Sequence, residues 1–249
     1  LRNSTFALAC RLVFVFLWLV PALLTGQEAG QEAQPGADPN KSQDESEFET
    51  IFDGKTLKGW SGADHFWSVE AGAITGQSTE EHPVEANTFL IWQGPPLEDF
   101  ELRLKYRIDS GNSGIQFRSR DLGEHRVGGY QADIDSGNRY TGIIYEERGR
   151  GILCRRGTAL TVAEDGTRSE STGTCDEDQL LESLQHDGWN EYVIRAEGNR
   201  IEQSINGFVT AVLIDDQAKH ARRSGILALQ LHAGPPMKVQ FKDIRLRRE

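Results

Sequence analysis

The sequence predicts an all-β sandwich of antiparallel strands, on three observations. Turn signals recur every eight to fifteen residues, the runs between them are short, and apolar and polar side chains alternate along those runs. The clearest turns are Asp53-Gly54, Glu70-Ala71-Gly72, Asp109 to Asn112, Asp135 to Asn138, Glu197 to Asn199 and Asn206-Gly207. No internal repeat is visible, which argues against a propeller or solenoid.

Residues 1–26 read as a signal peptide. Arg2 and Arg11 precede an apolar run from Leu12 to Leu24, and small residues follow at Thr25 and Gly26. That run is shorter than the roughly 20 residues a membrane-spanning helix needs, so no span is expected once the signal is removed. Residues 27–47, rich in Gln, Glu, Ala, Gly and Pro without an apolar period, read as a disordered linker. Residues 48–249 then form one domain with a sizeable core. The expected location is exported: periplasmic, cell-surface or extracellular.

Within the domain the strongest strand is Phe100 to Ile108, where five apolar residues alternate with Glu101, Arg103, Lys105 and Arg107. Three further runs, Ile115 to Ser119, Tyr130 to Ile134 and Thr141 to Glu146, repeatedly set polar residues on one face. Alternation puts Gln116 with Arg118, and Gln131 with Asp133, in two rows, while Ile115, Phe117, Ala132 and Ile134 face inward. Amides, an acid and a guanidinium packed this closely suit hydrogen bonding to hydroxyls or a carboxylate. Asp176 to Gln185 reads as a short helix. Glu191 to Ala196 and Arg200 to Ile205 read as a hairpin, and Asn206-Gly207 supplies a tight turn before Val209 to Ile214. Ile226 to His232 and Met237 to Leu246 close the domain. In the former, Leu227, Leu229 and Leu231 face the core, leaving Ala228, Gln230 and His232 on the other side.

Acids outnumber Lys and Arg by 38 to 27, for a formal charge of −11, which disfavours a nucleic-acid partner. Cys154 and Cys175 follow the signal, and in an oxidising compartment a disulfide between them is expected. Neither a zinc-site spacing, a Gly-x-Ser-x-Gly elbow, a phosphate loop nor the paired acids of a retaining β-glucanase is present.

These blocks resemble the 3-keto-disaccharide hydrolase family. The resemblance runs from Phe52 to Leu246, through Phe52 to Trp60, Trp67 to Gly76, Asp99 to Arg107, Asn112 to Arg118, Gly129 to Asp133, Trp189-Asn190, Asn206-Gly207 and Phe241 to Leu246. It implies a concanavalin A-like jelly roll of two antiparallel sheets with a concave polar cleft, and cleavage of glycosides whose sugar is oxidised at carbon 3. A ketone there acidifies the proton on carbon 2; a base removes it, the group on carbon 1 leaves, and water adds back. Such chemistry needs a base poised near neutrality and a positive group or metal at the developing oxyanion. The candidates are His232 or Asp133 as base, Lys105 or Arg118 at the oxyanion, and Glu146 assisting the leaving group. Asn112, Gln116, Arg118, Gln131, Tyr145 and Gln230 are candidates for holding the substrate. A divalent metal ion on Asp133, Glu146 and His232 is an alternative electrophile. The alternative function is a lectin-like module that binds carbohydrate without turnover. The sequence sets no oligomeric state.

Overall fold

The computed structural model describes residues 46–249; the expected signal peptide and almost all of the expected linker lie outside them. In chain order the strands are β1 (Glu49–Thr50), β2 (Trp60–Ser61), β3 (Trp67–Glu70), β4 (Ala73–Gln77), β5 (Thr88–Trp92) and β6 (Phe100–Ser110). Next come β7 (Asn112–Asp121), β8 (Val127–Asp135), β9 (Ile144–Glu147), β10 (Gly151–Cys154), β11 (Thr158–Val162) and β12 (Arg168–Thr172). Helix α1 (Glu177–Ser183) precedes β13 (Asn190–Glu197), β14 (Arg200–Ile205), β15 (Phe208–Asp215), β16 (Ile226–Leu231) and β17 (Lys238–Arg248). Among the described residues no helix is long and apolar enough to cross a membrane.

The strands form two sheets. A ten-stranded sheet runs β12-β11-β15-β14-β13-β6-β17-β4-β3, with β1 also on β17, and a seven-stranded sheet runs β10-β9-β8-β7-β16-β5-β2. Pairing is antiparallel except between β11 and β15. The core lies between the sheets: Leu102, Leu104 and Tyr106 of β6 are buried, as are Leu227, Leu229 and Leu231 of β16. The Phe100 ring meets Phe117 of the other sheet at 6.2 Å between centroids, and Phe117 stacks on Tyr130 at 5.8 Å.

The alternating strands and the hairpins of the sequence are present. Asn206 and Gly207 have φ of 49° and 85°, the left-handed pair that a two-residue turn of this kind demands. Asp176 caps α1 by accepting from the Gln179 N–H at 3.1 Å. The expected disulfide is absent: both cysteines are free. Cys154 is turned into the core with Sγ 3.3 Å from the carbonyl oxygens of Thr158 and Val212. Backbone pairing holds the segment that the bridge would have closed. It folds as the β11–β12 hairpin, and the N–H groups of Gly173 and Thr174 both donate to Gly157 O.

The outward face of the seven-stranded sheet is divided. Phe89, Ile91, Val127 and Ala228 form a small buried cluster separate from the main core. That cluster covers one end of the face, and polar side chains occupy the other.

Candidate functional site: a polar cleft on the seven-stranded sheet

Alternation along β8 sends Tyr130, Ala132 and Ile134 into the core and Gln131 and Asp133 outward. On the same outward side β7 contributes Asn112, β16 contributes Gln230, and His232 follows the end of β16. Together they line a cleft of about 320 Å³, at the lower end of the size range of small-molecule sites.

The amides of the floor form a directed chain. Ser119 Oγ donates to Gln116 Oε1 at 2.6 Å, and Gln116 Nε2 donates to Gln131 Oε1 at 2.8 Å. Gln131 Nε2 in turn donates to Gln230 Oε1 at 3.3 Å. The Gln230 Nε2 group at the end of the chain is buried with no protein partner. A buried amide N–H left open costs free energy unless a ligand or water meets it. Gly114 makes room for this arrangement, because a Cβ there would lie 2.5 Å from Gln131 Cγ.

Asp133 is only 5% exposed. Asn112 Nδ2 donates to its Oδ1 at 2.7 Å. Burial pushes the carboxyl up to about 7, against the opposing pull of hydrogen bonds from Asn112 and Gln131. An acid in that range exchanges protons readily at neutral pH.

His232 Nδ1 lies 2.5 Å from Ala233 O. A carbonyl can only accept, so Nδ1 carries the hydrogen and Nε2 of the neutral ring keeps its lone pair. The Ala233 N–H donates to Asn87 Oδ1 at 3.0 Å, and Asn87 Nδ2 donates to Glu147 Oε1 at 3.4 Å. Three strands, β8, β7 and β16, separate β9 from β5, so the curvature of the sheet brings Asn87 and Glu147 together across the cleft.

Asn112, Gln131, Asp133, Tyr145, Gln230 and His232 therefore share one cleft, and four other expected residues stand elsewhere. Arg118 does not join it. Pairing of β7 with β8 slips between Phe117 and Arg120, and Arg118 has φ of 44°. That bulge breaks the alternation. The buried guanidinium donates to Glu98 O at 2.7 Å and Gly198 O at 2.8 Å, and pairs with Asp99 at 2.7 Å. Lys105 lies on β6 in the ten-stranded sheet and pairs with Asp243 at 3.0 Å, so it cannot serve this cleft.

Glu146 faces the opposite way from Tyr145. It pairs with Arg150 at 2.6 Å, and Arg150 also pairs with buried Asp215 at 2.6 Å. Its neighbour Glu147 lines the cleft instead. The metal set Asp133, Glu146 and His232 is thus not assembled, and no three His, Cys, Asp or Glu among the described residues are grouped to hold a metal ion. Gln116 lies one step behind the cleft, orienting Gln131. Asn87, Tyr140, Ile143, Glu147 and Ile152 were not anticipated. Alternation from Tyr145 points to Glu147, whereas Asn87 sits in an irregular segment with no periodic signal.

A sandwich of this type, with a polar cleft on one curved sheet, is a jelly roll. The chain belongs to the 3-keto-alpha-glucoside-1,2-lyase-like domain family, whose model matches residues 47–247. No curated protein matches it in sequence. Among solved structures it is similar to a candidate glycosyl hydrolase from Parabacteroides distasonis, at 16% identity and TM-score 0.56, covering 81% of this chain and 99% of that one. It is also similar to the carbohydrate binding module CBM66 from Bacillus subtilis, at 13% identity and TM-score 0.51, covering 76% and 95%. A third likeness is to a Bacillus subtilis protein of unknown function with a galectin-like fold, at 10% identity and TM-score 0.51, covering 77% and 90%. At these identities the likenesses establish the fold.

Proposed function

We propose that the cleft cleaves glycosides of sugars oxidised at carbon 3, by proton abstraction and elimination followed by hydration. The observation that carries this reading is a buried carboxyl poised near neutrality, Asp133, in the same cleft as His232 and the open Gln230 donor. Family membership supports it.

Asp133, as carboxylate, takes the proton from carbon 2, and the electron pair moves onto the carbon 3 carbonyl oxygen. Gln230 Nε2–H, held in place through Gln131, Gln116 and Ser119, hydrogen-bonds the oxyanion. As the enediolate collapses, the bond from carbon 1 to the leaving oxygen breaks, and that oxygen takes a proton from Nε2 of His232 in its protonated form. The now neutral Nε2 accepts a proton from the water that adds to carbon 1. Asp133, after exchanging that proton with solvent, protonates carbon 2. With Lys105 and Arg118 elsewhere, oxyanion stabilisation falls to a neutral donor, and the proton donor to the leaving group is His232 in place of Glu146.

The amide-rich floor, with Asn112, Gln131 and Gln230, also suits a second reading in which the cleft binds sugar hydroxyls without turnover. Turnover of a 3-keto-glucoside separates the two. The catalytic reading expects product release by the wild type and a loss of about 10²- to 10⁴-fold in Asp133→Asn and His232→Ala. Saturable binding with no product from the wild type would overturn it in favour of the binding module.

A further inference from the structure

The cleft is asymmetric across the sheet. The edge strand β10 contributes Ile152, β9 contributes Tyr145, and only from β8 inward do Asp133 and the floor amides begin. Ile152 and Tyr145 are cross-strand partners, so their side chains stand together on the outward face. Tyr140 and buried Ile143, in the turn leading into β9, extend the same wall. Ile152 is 43% exposed, one of two large apolar side chains so exposed among the described residues. An apolar wall beside a polar floor gains by being covered with apolar surface.

A second sugar would fit that wall poorly, because the wall itself offers its hydroxyls only the phenols of Tyr140 and Tyr145, and the Glu147 carboxylate farther along β9 is already held at the rim by Asn87. We infer that the wall formed by Tyr140, Ile143, Tyr145 and Ile152 is a subsite for an apolar, aromatic aglycone, the group released from carbon 1. This rests on the reading of the floor as the site of the oxidised sugar ring. The substrate class is then an aryl or arylalkyl 3-keto-glycoside in preference to a 3-keto-disaccharide.

Benzyl and methyl 3-keto-glucosides test the inference, since benzyl alcohol and methanol are leaving groups of similar acidity and differ in the surface they bring. Covering a side chain such as Ile152 with a ring removes enough apolar area for about a five- to tenfold advantage in kcat/KM. The wild type is expected to favour the benzyl substrate by that factor, with the ratio falling toward one in Ile152→Ser. Equal use of the two by the wild type, a ratio unchanged in Ile152→Ser, or better use of 3-keto-trehalose than of the benzyl glucoside would each overturn it. Calorimetric binding of unoxidised benzyl and methyl glucosides provides a readout independent of turnover. If no keto-glycoside is cleaved, the proposed reaction fails and the calorimetry alone decides the subsite: tighter benzyl binding keeps it, and equal or undetectable binding removes it.

Discussion

Burial of the Asp133 carboxyl makes stability depend on pH in the opposite direction from a salt-bridged acid. Folding raises it from 3.8 to about 7, so between those values the folded state keeps a proton that the unfolded chain has released. Stability therefore falls as pH rises through that window and is level above it. Asp133→Asn removes the effect. At 1.36 kcal/mol per unit, the variant is expected to exceed the wild type by up to about 4 kcal/mol at pH 8, with the difference gone near pH 4. Urea unfolding at the two pH values checks this, and a difference independent of pH would contradict it. Gly114 is the second sensitive residue. Gly114→Ala drives a Cβ into Gln131 and is expected to cost about 1–3 kcal/mol. It also displaces the amide that orients Gln230, so activity should fall even where the protein remains folded.

At the scale of elements, the regular strands were legible and their irregularities were not. The alternation of β6, β8 and β16 was readable because one face of each meets the core, and it correctly set Gln131, Asp133 and Gln230 on the opposite side. The same rule misplaced Arg118, because a bulge adds a residue without leaving a mark in the pattern of apolar positions. At Glu146 the rule points the right way: placing that acid in the cleft needs a bulge, and strict alternation from Tyr145 favours Glu147. β10 to β12 were obscured by the expected disulfide, and the exposed β12 has no apolar periodicity to announce it. The relocation of Arg118 has a measurable consequence. Arg118→Ala strands the carbonyls of Glu98 and Gly198 and leaves Asp99 with the Gly198 N–H but no cation, for an expected loss of about 3 kcal/mol in urea unfolding. Activity per folded molecule should change little, whereas a large loss in kcat at full folding would restore Arg118 to the chemistry.

At the scale of the whole molecule, the sandwich supplies a rigid curved sheet. Its curvature, secured at the rim by Asn87 and Glu147, draws residues as far apart in the chain as Asn87 and His232 into one cleft. No covalent cross-link between Cys154 and Cys175 assists this. Both thiols should react with a thiol reagent once the domain is unfolded, without prior reduction, and a reducing agent should leave the melting temperature unchanged. A reductant-induced drop in that temperature would show that the bridge forms. The site itself was partly legible, since Asp133 and His232 were both named from strand patterns, but their meeting depends on sheet order, which local sequence does not encode.

The most direct measurement is exchange of the carbon 2 hydrogen of a 3-keto-glucoside in D₂O, followed by NMR with wild type and Asp133→Asn. Deuterium should enter carbon 2 of the recovered sugar with the wild type and stay near the spontaneous rate with the variant. Cleavage by the wild type without that label, or equal labelling by a folded variant, would contradict proton transfer through Asp133.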